Sequence, residues 1–222
     1  GRHEDAGRTL SAAALDGNPH VALWRGLTEA ERNDWASARR DLQQALSVLR
    51  LYPQAWQTRV QLARARTGLA MSDLSTANDA LDQLATTLPH DDAQEAEYYR
   101  ARLLAAQGHL NEGVARLSAL ESSDDAPVAA RATYARVDIL LTAGKIKHAD
   151  AIEALERLRY RWRGDDLELA TLRRLGGIYF ADKRWREGLE TLRSAALNFP
   201  KSDLARSAQD DMRQAFVDLF LN

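Results

Sequence analysis

Residues 172–200 read LRRLGGIYFADKRWREGLETLRSAALNFP, and the spacing within this stretch predicts a helical hairpin. Leu172, Leu175, Gly176 and Tyr179 recur at three- and four-residue intervals, the period of one helix face. Trp185, Gly188, Leu192 and Ala195 do the same on a second helix, which Pro200 stops where its missing N–H does least damage. Gly176 and Gly188 remove the side chains that would hold two antiparallel backbones apart. Tyr179 and Trp185 supply bulk for the wedge between them. The pattern is a packing rule, and a chain built on it binds other molecules more readily than it transforms them.

Working outward, small residues recur at the centre of each second helix: Ala38, Ala77, Gly113, Ala151 and Gly188, spaced by 39, 36, 38 and 37 residues. Apolar residues follow each centre at helical spacing: Leu42 and Ala45, Leu81 and Leu84, Leu117 and Leu120, Leu155 and Leu158, Leu192 and Ala195. On the first helices, Gly26, Ala63, Ala101, Val137 and Gly176 are expected at the close crossing, with Leu104, Leu140 and Tyr179 three residues on. Glu29 and Arg66 take that later place in the first two units and fit poorly, so Trp24 and Trp56 are expected to supply the missing bulk. Two extra residues are expected in the second unit's turn, around Leu69 to Asp73.

Breakers separate the units at Asn18-Pro19, Tyr52-Pro53, Leu88-Pro89, Ser122 to Pro127, Arg163-Gly164-Asp165 and Phe199-Pro200. Asp125 and Ser202 stand where they would cap the next helix. No segment alternates with period two, so the expected fold is all-α. A single array is predicted over 1–222: a half-repeat helix at 1–17, repeats at 19–52, 53–89, 91–124, 127–163 and 166–200, and a last helix at 202–222. Ala6, Leu10 and Ala13 read as the second helix of an earlier hairpin. The opening Gly1-Arg2-His3-Glu4 predicts a segment of a longer chain. At the far end Leu204, Ala208, Met212, Phe216 and Leu219 form one stripe, while Phe220 and Leu221 add apolar surface off it. Either that helix packs back as a cap, or Phe216, Phe220 and Leu221 continue the array or mediate self-association into a homo-oligomer.

Composition narrows the function classes. Apolar residues make up 45% of the 222, charged residues 28%, and the net charge is −2. Near-neutrality removes the main argument for nucleic acid, which demands a clustered cationic face. No apolar run approaches the roughly 18 residues of a membrane span. Cysteine is absent, which excludes disulfides, thiolate metal sites and cysteine nucleophiles. Lysine occurs only at Lys145, Lys147, Lys183 and Lys201, and with so much alanine this fits a GC-rich bacterial gene.

The whole chain resembles the tetratricopeptide (TPR) superfamily, whose repeat is about 34 residues long. Residues Leu172 to Pro200 match its pattern closely, and the other units match through their even spacing. The longer units and Phe199-Pro200-Lys201-Ser202 resemble long TPR proteins of the bacterial cell envelope. The resemblance implies a right-handed superhelical α-solenoid whose first helices line a concave groove that takes peptides or helices. Groove positions would then be Leu23, Leu27, Val60, Arg64, Tyr98, Arg102, Tyr134, Asp138, Arg173 and Phe180. This mixture of apolar, aromatic and arginine side chains is the composition of protein-binding hot spots. The Lys and Asn of the chaperone-tail clamp are missing, because Leu23 and Leu27 occupy its first two places.

No catalytic, cofactor or metal set emerges from the residues. His3, His20, His90, His109 and His148 are scattered, and His3-Glu4-Asp5 and His90-Asp91-Asp92 read as helix starts or loops. Arg159-Tyr160-Arg161-Trp162-Arg163 suits an anion clamp or, more simply, the last turn of a helix at its negative dipole end. Arg163-Gly164-Asp165 matches an integrin tripeptide by chance. The expected function is a non-catalytic scaffold for a protein or peptide partner, with a structural spacer or self-assembly module as the alternative. Glycan contact through the tryptophans is disfavoured, since Trp24, Trp35, Trp56 and Trp185 have packing roles to fill.

Overall fold

The computed structural model describes residue 15 and residues 17–199 and 203–220; side chains at 203–205, 208, 215, 216 and 218–220 lie outside that description. Among the described residues there are eleven α-helices and no strand. They are α1 (Pro19–Glu31), α2 (Trp35–Leu49), α3 (Gln54–Ala70), α4 (Leu74–Asp82), α5 (His90–Ala106) and α6 (Leu110–Leu120). Then follow α7 (Ala126–Thr142), α8 (His148–Arg161), α9 (Asp166–Ala181), α10 (Trp185–Asn198) and α11 (Asp203–Phe220). No helix of the described residues is long and apolar enough to cross a membrane. The chain divides into two compact units, Gly1–Arg116 and Leu117–Asn222, with the boundary inside α6.

In the first unit α1 packs on α2, α2 on α3, α3 on α4, and both α3 and α4 on α5. In the second, α7 packs on α8, α8 on α9, α9 on α10 and α10 on α11, while α9 also meets α7 and α11. The five small second-helix residues are all buried. A Cβ placed on Gly26 would lie 2.8 Å from Leu42 Cγ, and one on Gly176 would lie 2.6 Å from Leu192 Cγ. Leu42 and Leu192 are themselves almost fully buried, so each hairpin closes glycine against leucine. Burial of that kind stabilises by about 1.5–3 kcal/mol per leucine.

The second hairpin corrects the sequence register. Its turn is Met71-Ser72-Asp73, no longer than the Arg32-Asn33-Asp34 turn of the first hairpin. Ala65, fully buried, stands at the crossing and Ala63 does not. Three residues on, Gly68 lies so close to α4 that its Cβ would meet Ala77 N at 2.8 Å. Gly26 to Ala38, Ala65 to Ala77, Ala101 to Gly113 and Gly176 to Gly188 thus share one twelve-residue separation. The two extra residues fall in the fourth hairpin instead, where 143–147 joins α7 to α8.

Side-chain caps start several of these helices. Asn18 accepts from His20 N, Asp34 from Ser37 N, Asp73 from Thr76 N, and Asp125 from Val128 N as expected. Asn33, Ser72, Gly108 and Lys183 each take a left-handed φ at the second residue of a three-residue turn. That conformation turns the chain back and lets the next N–H reach the helix it has left: Asp73 N donates to Gly68 O at 2.8 Å, Arg184 N to Tyr179 O at 2.8 Å.

At the C-terminal end, Met212 of α11 packs against the Leu169, Leu172, Leu192 and Ala195 core, and Arg173 of α9 donates to Asp211 at 2.7 Å and 3.3 Å. Ala6, Leu10, Ala13, Pro200, Ser202 and Leu221, and the side chains of Leu204, Ala208, Phe216, Leu219 and Phe220, lie outside the described residues.

Candidate partner-binding surface

The first unit carries an aromatic and arginine patch on two neighbouring first helices. Asn18 and Pro19 fix the start of α1, which sets His20 and Trp24 one turn apart. Pro53 precedes α3 and sets Trp56 and Arg59 on its first turns, with Tyr52 just ahead. Trp24 meets Trp56 edge to face at 4.5 Å between ring centroids and Tyr52 at 6.3 Å. His20 Nδ1 and Tyr52 Oη share a hydrogen bond of 3.0 Å, and the Arg59 guanidinium lies 5.3 Å from the Trp56 ring centre. Such aromatic pairs add about 0.5–1.5 kcal/mol each and hold the rings in fixed orientations. Trp24 nonetheless stays 37% exposed, and Leu51 beside Tyr52 is 75% exposed. Of the two tryptophans expected to fill a gap inside the hairpins, Trp56 packs against the core and Trp24 does not, and the pair leaves a polarisable face to solvent.

The ten positions named from sequence divide sharply. Leu23, Leu27 and Val60 are buried in one core cluster with Leu42 and Leu49 and present nothing to a partner. Arg64 is buried too: its Nη1 donates to Gln61 at 2.8 Å and its Nη2 to Asp79 at 3.1 Å. Val60 and Arg64 came from the two-residue register error; the equivalent positions are Leu62, which is buried, and Arg66, which is half-buried over the Trp35 ring and donates to Asn33. Tyr98 is buried, with the half-buried Arg102 against its ring.

In the second unit Tyr134 packs on the core of Val137, Leu155 and Tyr179, and Asp138 pairs with Arg174 at 2.9 Å. Phe180 lies 5.7 Å from Trp185 and against Gly188, and Arg173 is held by Asp211. Tyr179 donates to Glu156 at 2.8 Å, and burial, then that carboxylate, pushes its hydroxyl up to about 12. The partly open members of the set are therefore Arg102, Tyr134, Asp138, Arg173 and Phe180.

Sequence reasoning missed a second pattern. Arg25, Arg64, Arg100 and Arg136 each stand one residue before a crossing position. Each turns toward a second helix or its end: Arg25 to Asp41, Arg64 to Asp79, Arg100 to the Leu81 carbonyl, Arg136 to Glu121. The first of these belongs to a charge cluster. Asp41 is 2% exposed and accepts from Arg40 at 2.8 Å, while Glu29 lies close enough to Asp41 that burial and that neighbour raise its carboxyl to about 7. Comparison of the chain with protein-family models, curated proteins and solved structures gives no match.

Proposed function

We propose that the chain is a non-catalytic protein-interaction scaffold of the TPR kind, a right-handed superhelix of hairpins that holds a protein or peptide on the faces of its first helices. The observation that carries this reading is the patch formed by exposed His20, Trp24 and Arg59 of α1 and α3 with the half-buried Trp56 and, just ahead of α3, Tyr52. Trp, Tyr and Arg are enriched among the residues that supply most of the energy at protein interfaces, and the two ring side chains bury large area with few rotamers to freeze. The shared twelve-residue separation of crossing positions supports the repeat reading. Trp24→Ser tests it. Retention of partner proteins by the immobilised chain should fall about tenfold or more, while helicity by circular dichroism stays unchanged. Equal retention by both proteins would remove the patch from the interface. Self-association through Phe216, Phe220 and Leu221 concerns side chains outside the described residues, and light scattering across a concentration series tests it separately.

A further inference from the structure

A cleft of about 330 Å³ opens in the second unit between the first half of α7, the last half of α8 and the residues that follow α6. Its floor is apolar: Ala129, Ala130, Ala154 and Leu158 are all buried. Its walls carry Arg136, Arg157 and Arg161 against one carboxylate, Glu121, with Trp162 at one end. Arg136 spends its fork on Glu121, the Nη2 to Oε2 distance being 3.4 Å. Arg157 pairs with Glu153 one turn back, but both are well exposed, at 64% and 70%. An exposed pair of that spacing contributes little and exchanges readily for a better acceptor. Arg161 has no ion-pair partner among the described residues.

Asp165 and Glu168, which follow, are engaged elsewhere. Asp165 accepts from Leu167 N, Glu168 N and the Trp162 indole, and Glu168 accepts from Gly164 N at 2.7 Å. Arg157 and Arg161 sit one turn apart on α8, a spacing at which two planar forks converge on one acidic group. Beside the cleft, Tyr160 is 68% exposed with the guanidinium groups of Arg159 and Arg163 at 5.6 Å and 5.9 Å from its ring centre.

We propose that this cleft binds the oxyanion groups, carboxylate or phosphate, of an acidic peptide segment. Paired arginines recognise such groups bidentately, and the cleft has room for one side chain and its neighbours. The inference rests on the reading of the chain as a partner-holding scaffold and assigns that partner its charge.

The test follows the Trp162 indole N–H resonance, assigned through Trp162→Phe, as peptides are added to the folded chain. The probes are a capped pentaglutamate, a phosphoserine peptide of the same length and a capped pentaglutamine. Expected is a saturable shift with at least one acidic peptide and none with pentaglutamine. Affinity should weaken between about 0.05 and 0.5 M salt. Arg157→Ala with Arg161→Ala should weaken binding about tenfold or more. Both arginines are exposed, so helicity should hold; Arg157→Lys with Arg161→Lys keeps the charge, loses the forks and should fall between. Whichever acidic peptide binds more tightly identifies the oxyanion. No shift with either, or equal affinity in the double alanine variant, overturns the proposal. If the cleft fails while Trp24→Ser still loses the partner, the cleft alone is refuted and the scaffold reading stands.

Discussion

Gly113→Ala is expected to destabilise the first unit by about 1–3 kcal/mol, the usual range for over-packing a closed interface. A Cβ there would lie 2.6 Å from Ala101 O and 2.8 Å from Ala105 N. Both are main-chain atoms inside α5, so no rotamer change relieves the contact and the two helices must separate. Gly177 supplies the control, because a Cβ on it meets nothing within 4 Å. Gly177→Ala is expected to be neutral or to gain up to about 1 kcal/mol from helix propensity. Denaturant unfolding of both variants measures the contrast. A Gly113→Ala protein as stable as the parent would mean that α5 and α6 do not approach as described.

The larger loss is expected from Arg25→Met, about 3 kcal/mol at pH 8, the scale for removing one partner from buried charge. Arg25 Nε lies 3.4 Å from Asp41 Oδ2, and Asp41 is 2% exposed. Without that cation Asp41 keeps, among the described residues, the exposed Arg40, with Glu29 adding to the negative charge beside it. The pH dependence follows from Glu29. Its carboxyl is raised from 4.5 to about 7, by burial first and by Asp41 next, so the folded state holds the proton more tightly than the unfolded chain. That contribution is complete below about pH 4.5 and is lost as the pH rises through about 7. The parent should therefore lose stability between about pH 5 and pH 8, and Glu29→Gln should flatten the profile in that window. Thermal melts across the range decide it; a parent that gains stability on going from acid to neutral pH contradicts the assignment.

These two regions also mark what the sequence allowed and what it hid. The small second-helix residues were legible, because a helix crossing admits only small side chains whatever surrounds it, and so were the apolar residues behind them except Leu84, which falls past the end of α4. Helix boundaries followed from Pro, Gly and Asp, whose effects are local. The second hairpin's phase was not legible, because Ala63 and Ala65 are both small and only packing tells them apart. The charge cluster around Asp41 was missed for a related reason. Arg25, Glu29 and Asp41 look like ordinary solvated positions unless the hairpin brings them together, and only the recurrence of arginine before four of the five crossings hinted otherwise. The candidate surface was half legible. Tryptophan is ambiguous between core and surface: Trp56 packs against the core of the first hairpin, while Trp24 meets Trp56 edge to face and stays exposed.

Position-specific photo-crosslinking to a retained partner tests the central claim most directly. A benzophenone side chain is placed at position 24 on α1, at 59 on α3, and at the exposed Ser47 on the second helix α2. Adducts with the partner from 24 and 59, and little or none from 47, are the predicted result. Adducts from position 47 equal to or stronger than those from 24 and 59 would contradict partner binding on the first-helix face.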